Sequence, residues 1–105
     1  MKILGGITST PIQSFTTRAP NGEVITITLR YMPTVQRWFM DLGYGDFSLS
    51  GYKIFRSQNI LDKFINILPF GIMIDCNFEP FLIDDFESGR VRMYLLDSGE
   101  ISQVD

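Results

Sequence analysis

The residues of this chain that could do chemistry are carboxylates. Asp84, Asp85 and Glu87 fall within four positions, with Asp75 and Glu79 just upstream. Two carboxylates converging on one bond are the machinery of glycoside hydrolysis, and closely spaced acids could hold a calcium ion. Asp75-x-Asn77-x-Glu79 imitates the start of a calcium loop, but Pro80 stands where that loop needs glycine and Phe86 where it needs a bidentate glutamate. The calcium reading fails on both counts, and a paired-carboxylate enzyme is a minor alternative that any acidic domain offers.

The remaining chemistry is thin. The chain has no histidine, so catalytic His dyads and triads and His-ligated zinc or iron are excluded, and its serines have no imidazole to activate them. The single cysteine, Cys76, rules out an intrachain disulfide and a multi-cysteine zinc site. Lying in the apolar run Phe70–Cys76, it reads as a buried thiol. Glycines are scattered (Gly5-Gly6, Gly43-x-Gly45, Gly71), and no phosphate-cradling GxGxxG or GxxxxGK[ST] occurs. Arg30, Arg37 and Arg56 sit beside Tyr31, Trp38 and Phe55, a superficial nucleic-acid pattern. On strands those aromatics alternate away from the arginines, and a pI near 4.8 opposes it. No catalytic residue, cofactor or metal is expected, and no specific nucleic-acid binding.

A mainly β framework must position these residues. IQSFTTR, about 12–18, reads as a first strand, and Pro20-Asn21-Gly22-Glu23 as a turn, because Asn and Gly tolerate positive φ. Val24–Tyr31 then alternates, with Ile25, Ile27, Leu29 and Tyr31 on one face and Thr26, Thr28 and Arg30 on the other. Pro33 ends that strand, and Arg37–Leu42 follows with Trp38, Met40 and Leu42 on one face. Phe47–Ser50 and Tyr52–Phe55 are two short strands around Gly51. Over 57–68 the period changes: Ile60, Leu61, Phe64, Ile65 and Leu68 recur at helical spacing, Ser57 or Asn59 can cap, and Pro69 closes the segment. This predicts one helix of two to three turns. Gly71–Asp75 reads as a buried strand, and Phe81–Ile83 with Val91–Leu96 as a hairpin across the acidic Asp84–Gly89. Asp97-Ser98-Gly99-Glu100 supports a last turn. The sum is a single domain, 1–105, of about seven short strands and one helix, a small antiparallel barrel or sandwich.

Composition agrees with one compact unit. A 105-residue chain, 45% hydrophobic and 13% aromatic, has apolar residues enough for a core and for a partner surface. The longest apolar run, around Phe64–Ile74, is broken by Asn66, Pro69 and Gly71, so no membrane insertion is expected. The N-terminal apolar patch is too short for a signal-peptide core. These features predict a protein kept in a cytoplasm-like compartment unless it leaves inside a larger assembly. Charge is divided along the chain: seven Lys/Arg against four Asp/Glu over 1–63, and two against eight over 64–105. That polarity permits head-to-tail packing of copies or unlike neighbours, and opposes nucleic-acid binding by the C-terminal half.

Taken in order, Leu29-Arg30-Tyr31, Trp38-Phe39-Met40-Asp41-Leu42, Gly51–Phe55, Asn59–Leu68, Phe70–Asp75, Phe81–Glu87 and Val91–Leu96 resemble the baseplate plug proteins of contractile-tailed bacteriophages. The resemblance covers about residues 12–97, with Leu29, Tyr31, Trp38, Asp41 and Tyr94 as its structural signature. It implies a non-enzymatic virion component of the tail baseplate, assembled in the bacterial host cytoplasm. Such a component helps close the distal end of the tail tube before DNA ejection. Its implied partners are hub, spike, tail tube or tape-measure proteins, with copies on a three- or six-fold axis. The acidic hairpin of Asp84, Asp85 and Glu87 would then face a partner or the lumen, where it would repel passing DNA. The rival from another class is a small soluble β-barrel module binding a peptide or small ligand.

Overall fold

The computed structural model describes residues 2–77, 80, 82–97 and 99–101. Within them the chain forms seven strands: β1 (Lys2–Ile3), β2 (Ile12–Arg18), β3 (Val24–Met32), β4 (Arg37–Tyr44), β5 (Phe47–Lys53), β6 (Gly71–Cys76) and β7 (Val91–Leu96). β2, β3, β4 and β5 pair in that order as an antiparallel meander, and β1-β7-β6 make a second antiparallel sheet. The architecture is therefore mainly β, in two sheets that do not close into a barrel.

The turn chemistry of the first hairpin holds as expected. Gly22 takes φ +91°, its N–H donates to Ala19 O (2.8 Å), and Asn21 Oδ1 accepts from Glu23 N–H (3.1 Å). The alternating strands then fill one core. Ile25, Ile27 and Leu29 of β3 and Trp38, Met40 and Leu42 of β4 are buried, and the register sets Ile27 opposite Leu42, Leu29 opposite Met40 and Tyr31 opposite Trp38. The same core cluster takes in Ile72, Ile74, Met93 and Leu95 from the second sheet. Each such side chain contributes roughly 1.5–3 kcal/mol by leaving water.

Three expectations need correction. Gly51 does not separate two strands; β5 runs through it with Gly51 at φ +65°, beside a register shift between Met40 and Leu42 that marks a bulge. The helix is far shorter than 57–68. Ile60, Leu61 and Leu68 are buried as their spacing predicts, yet only Asp62–Phe64 is helical, as a 3-10 turn. The preceding segment spends its hydrogen bonds on the edge of β6. Ser57 N–H donates to Ile74 O (3.2 Å), Ile74 N–H returns to Ser57 O (2.9 Å), and Ile60 N–H donates to Ile72 O (2.7 Å). Asn59 Oδ1 accepts from Ile72 N–H (3.1 Å) and Leu61 N–H (3.0 Å).

The third correction concerns the acidic segment. Leu82 and Ile83 lie in turns rather than in a strand, Phe81 lies outside the described residues, and β7 takes β6 as its partner. The acidic hairpin is thus a wound loop. A two-residue strand, β1, also forms where none was expected, pairing Lys2 and Ile3 with Leu95 and Tyr94.

Candidate functional site

The acidic loop is organised by its one buried carboxylate. Asp85 is fully buried; its Oδ2 accepts from Leu82 N–H (2.8 Å), and its Oδ1 lies 3.2 Å from Arg90 Nε. Its backbone carbonyl accepts from Val91 N–H (3.1 Å) and from Ser88 Oγ (3.2 Å). Arg90 also donates through Nη2 to Asp84 Oδ1 (2.9 Å), so one guanidinium bridges both acids. Glu87 is exposed and accepts from Ser9 Oγ (2.7 Å), tying the loop to the segment before β2. The loop's three carboxylates therefore do not converge on a cavity. Asp84 and Asp85 converge on a cation, and Glu87 points to a serine.

The tryptophan holds this loop against the meander. Trp38 Nε1 donates to Leu82 O (3.1 Å), which satisfies an indole N–H that burial would otherwise leave costly. Phe86 meets its ring edge-to-face at 5.4 Å and 89°, and Tyr31 does so at 5.4 Å and 61°. Tyr31, Trp38 and Phe86 form one T-shaped stack that joins β3, β4 and the acidic loop.

Asp41, the last residue of Trp38-Phe39-Met40-Asp41, occupies the bulge. Its Oδ1 accepts from Gly51 N–H (2.8 Å), and its Oδ2 accepts from Arg30 Nη2 in an ion pair across β3 and β4. The Gly51 N–H, and after it Arg30, hold the Asp41 carboxyl below its ordinary value against the opposing effect of burial. Asp41 thus links β3, β4 and β5 at the one place where the ladder slips. Leu29 is buried on the core face of β3, and Tyr94 is half-buried on β7, opposite Ile3 and Met73. The structure brings Tyr31, Trp38 and the acidic loop together, while Asp41 and Tyr94 occupy separate places. Arg90 and Ser9, which sequence reasoning misses, hold the acidic loop, and Asn59 separately holds the 57–61 segment on β6. An arginine closing the acidic run, Arg90, is the available signal.

Two cavities among the described residues bear on a hydrolytic pair. A cavity of about 440 Å³ beside β6 is lined by Arg56, Ser57, Gln58, Met73, Ile74 and a single carboxylate, Asp75. Asp97 and Glu100 share one of about 260 Å³, but each already accepts the other's backbone N–H (2.8 and 3.1 Å). Among the described residues no group of three or more His, Cys, Asp or Glu could hold a metal ion, and no helix is long and apolar enough to cross a membrane.

A family model described as "Cyanophage baseplate Pam3 plug gp18" matches residues 2–98. No curated protein matches the chain.

Proposed function

The chain belongs to this cyanophage baseplate plug family, and from that premise we propose that it is a structural component of a phage tail baseplate that helps close the distal end of the tail tube before DNA passes. The match over residues 2–98 is the observation that carries this reading. The site agrees with a structural part, because its polar groups are spent on holding elements together. Asp41 pins a bulge, Asp85 and Arg90 shape a loop, and Trp38 anchors that loop to the meander.

In this reading the partners are other tail proteins (hub, spike, tail tube or tape-measure protein), with copies set around the three- or six-fold tail axis. The acidic loop presents a partner- or lumen-facing surface, to which Asp84 and Glu87 contribute exposed charge while buried Asp85 maintains its shape. Excess negative charge there would keep DNA from adhering during ejection.

The test is a phage whose gene for this chain is disrupted, examined by electron microscopy and by nuclease sensitivity of its DNA. Tails should lack density at the distal end of the tube, and DNA should escape early. Baseplates that contain no such chain, or tails that stay closed without it, would refute the assignment.

A further inference from the structure

The meander and the second sheet end at edges that face one another. Along β2, Tyr31 N–H donates to Pro11 O (2.7 Å) and Ala19 N–H to Glu23 O (2.8 Å), so 11–31 and 19–23 are hydrogen-bonded pairs. In an antiparallel ladder such pairs alternate. Gln13, Phe15 and Thr17 therefore bond to β3, while Ile12, Ser14, Thr16 and Arg18 turn their N–H and C=O groups outward. On β1, Leu4 N–H donates to Met93 O (2.8 Å), which by the same alternation turns the backbone of Ile3 away from β7. Between these edges lies a groove of about 300 Å³, lined by Lys2–Gly6 on one side and Gln13–Thr17 on the other.

The other edges are occupied or interrupted. Ser57, Asn59 and Ile60 cover β6, and β5 carries the bulge at Gly51. Among the described residues β2 is left as a long, unbroken edge, without proline or an inward charge to blunt it. Ile12 and Ile3, at its rim, are 68% and 55% exposed.

We infer that this groove takes an extended polypeptide segment of a neighbouring tail protein, which adds a strand between β2 and β1 and joins the two sheets. Rows of outward N–H and C=O groups at strand spacing are matched by another extended backbone. A second copy is a poorer occupant, because a strand seated here is flanked on both sides. The incoming segment alternates, with apolar residues toward Phe15 and Leu4 and small or polar ones beside Ser14 and Thr16. Lys2 Nζ donates to Thr17 Oγ1 across the groove (3.4 Å), a bond the incoming strand replaces, and Asp97 and Glu100 share the adjoining cavity with Lys2 and Arg18, so no charge is required of the segment at that end. The choice of partner rests on the baseplate reading above.

Amide hydrogen exchange, read residue by residue on the isolated protein and on purified intact tails, tests the inference. In tails, exchange at Ile12, Ser14 and Thr16 should slow by about tenfold or more while Gln13, Phe15 and Thr17 stay as they are. Unchanged rates at the even positions, in tails that contain the chain, would overturn the inference alone. Tails without the chain would overturn the baseplate reading and the choice of partner with it. Protection of the same amides in isolated protein, rising with concentration, would overturn it in favour of self-pairing. Thr16→Pro removes an outward N–H and spares the β3 ladder. It should lower incorporation into tails about tenfold, since one blocked strand position disrupts the whole added ladder. Incorporation at the wild-type level would count against the inference.

Discussion

Replacing Asp41 separates two roles that its geometry combines. The bond from Gly51 N–H to a carboxylate is charge-assisted, and such bonds contribute about 1.5–3 kcal/mol when intact. Gly51 is exposed, so water replaces part of that loss and the lower end applies. The pair with Arg30 is half-exposed, with side-chain exposures of 52% and 20%, and contributes about 0–1 kcal/mol. Asp41→Ala removes both and should destabilise by about 1.5–2.5 kcal/mol. Asp41→Asn keeps an acceptor for Gly51 and should cost under about 1 kcal/mol. Urea unfolding followed by fluorescence of the single, buried Trp38 reads these differences. The sign with pH follows from the lowered carboxyl. Its stabilisation is complete above the unfolded value of about 3.9 and is lost as pH falls through the folded value. The gap between wild type and Asp41→Asn should therefore close at acid pH. Equal costs for Asn and Ala, or an Arg30→Ala cost matching that of Asp41→Ala, would refute the argument that the bulge bond dominates.

Other outcomes follow from the same contacts. Asn59→Ala orphans the N–H groups of Leu61 and Ile72 and should cost about 2–4 kcal/mol in chemical denaturation. Gly71→Ala places a Cβ 2.7 Å from Asn59 Oδ1, so it should cost about 1–3 kcal/mol and combine with Asn59→Ala at less than the sum. Asp85→Ala, which strips a buried partner from Arg90 and Leu82, should cost about 2–3 kcal/mol, whereas Asp84→Ala at the surface should stay under about 1 kcal/mol by the same measurement. Trp38→Phe loses the bond to Leu82 O and some packing, and should lower the thermal midpoint by about 5–15 °C in circular dichroism.

Much of the meander was legible because its signals are local. The bounds of β2 match the expected 12–18, and the alternation of Ile25, Ile27, Leu29 with Trp38, Met40, Leu42 chose the buried face correctly. The misses share a cause, which is competition by partners distant in the chain. The 57–68 periodicity is real, but a segment this short gains little from isolated helix formation, and β6 offered its backbone better use. Phe81–Ile83 looked like a strand because its residues favour one. Asp85 captures Leu82 N–H and winds the chain instead, and a buried carboxylate balanced by Arg90 leaves no periodic trace. Gly51 read as a break, since nothing local shows that Asp41 will hold its N–H inside a continuing strand. The family signature was visible as residue types; what each type does was not.

The pairing of β1 with β7 bears on the order in which the molecule can form. β2 to β5 are neighbours in sequence, so the meander closes short loops and can assemble as soon as residues 12–53 are available. The second sheet joins Lys2 and Ile3 to Leu95 and Tyr94, across almost the whole chain, and waits on residues 91–96. On the ribosome the early sheet must therefore stand with its core face bare while the rest is made. Its apolar strands then depend on the chain's last third arriving before another surface finds them.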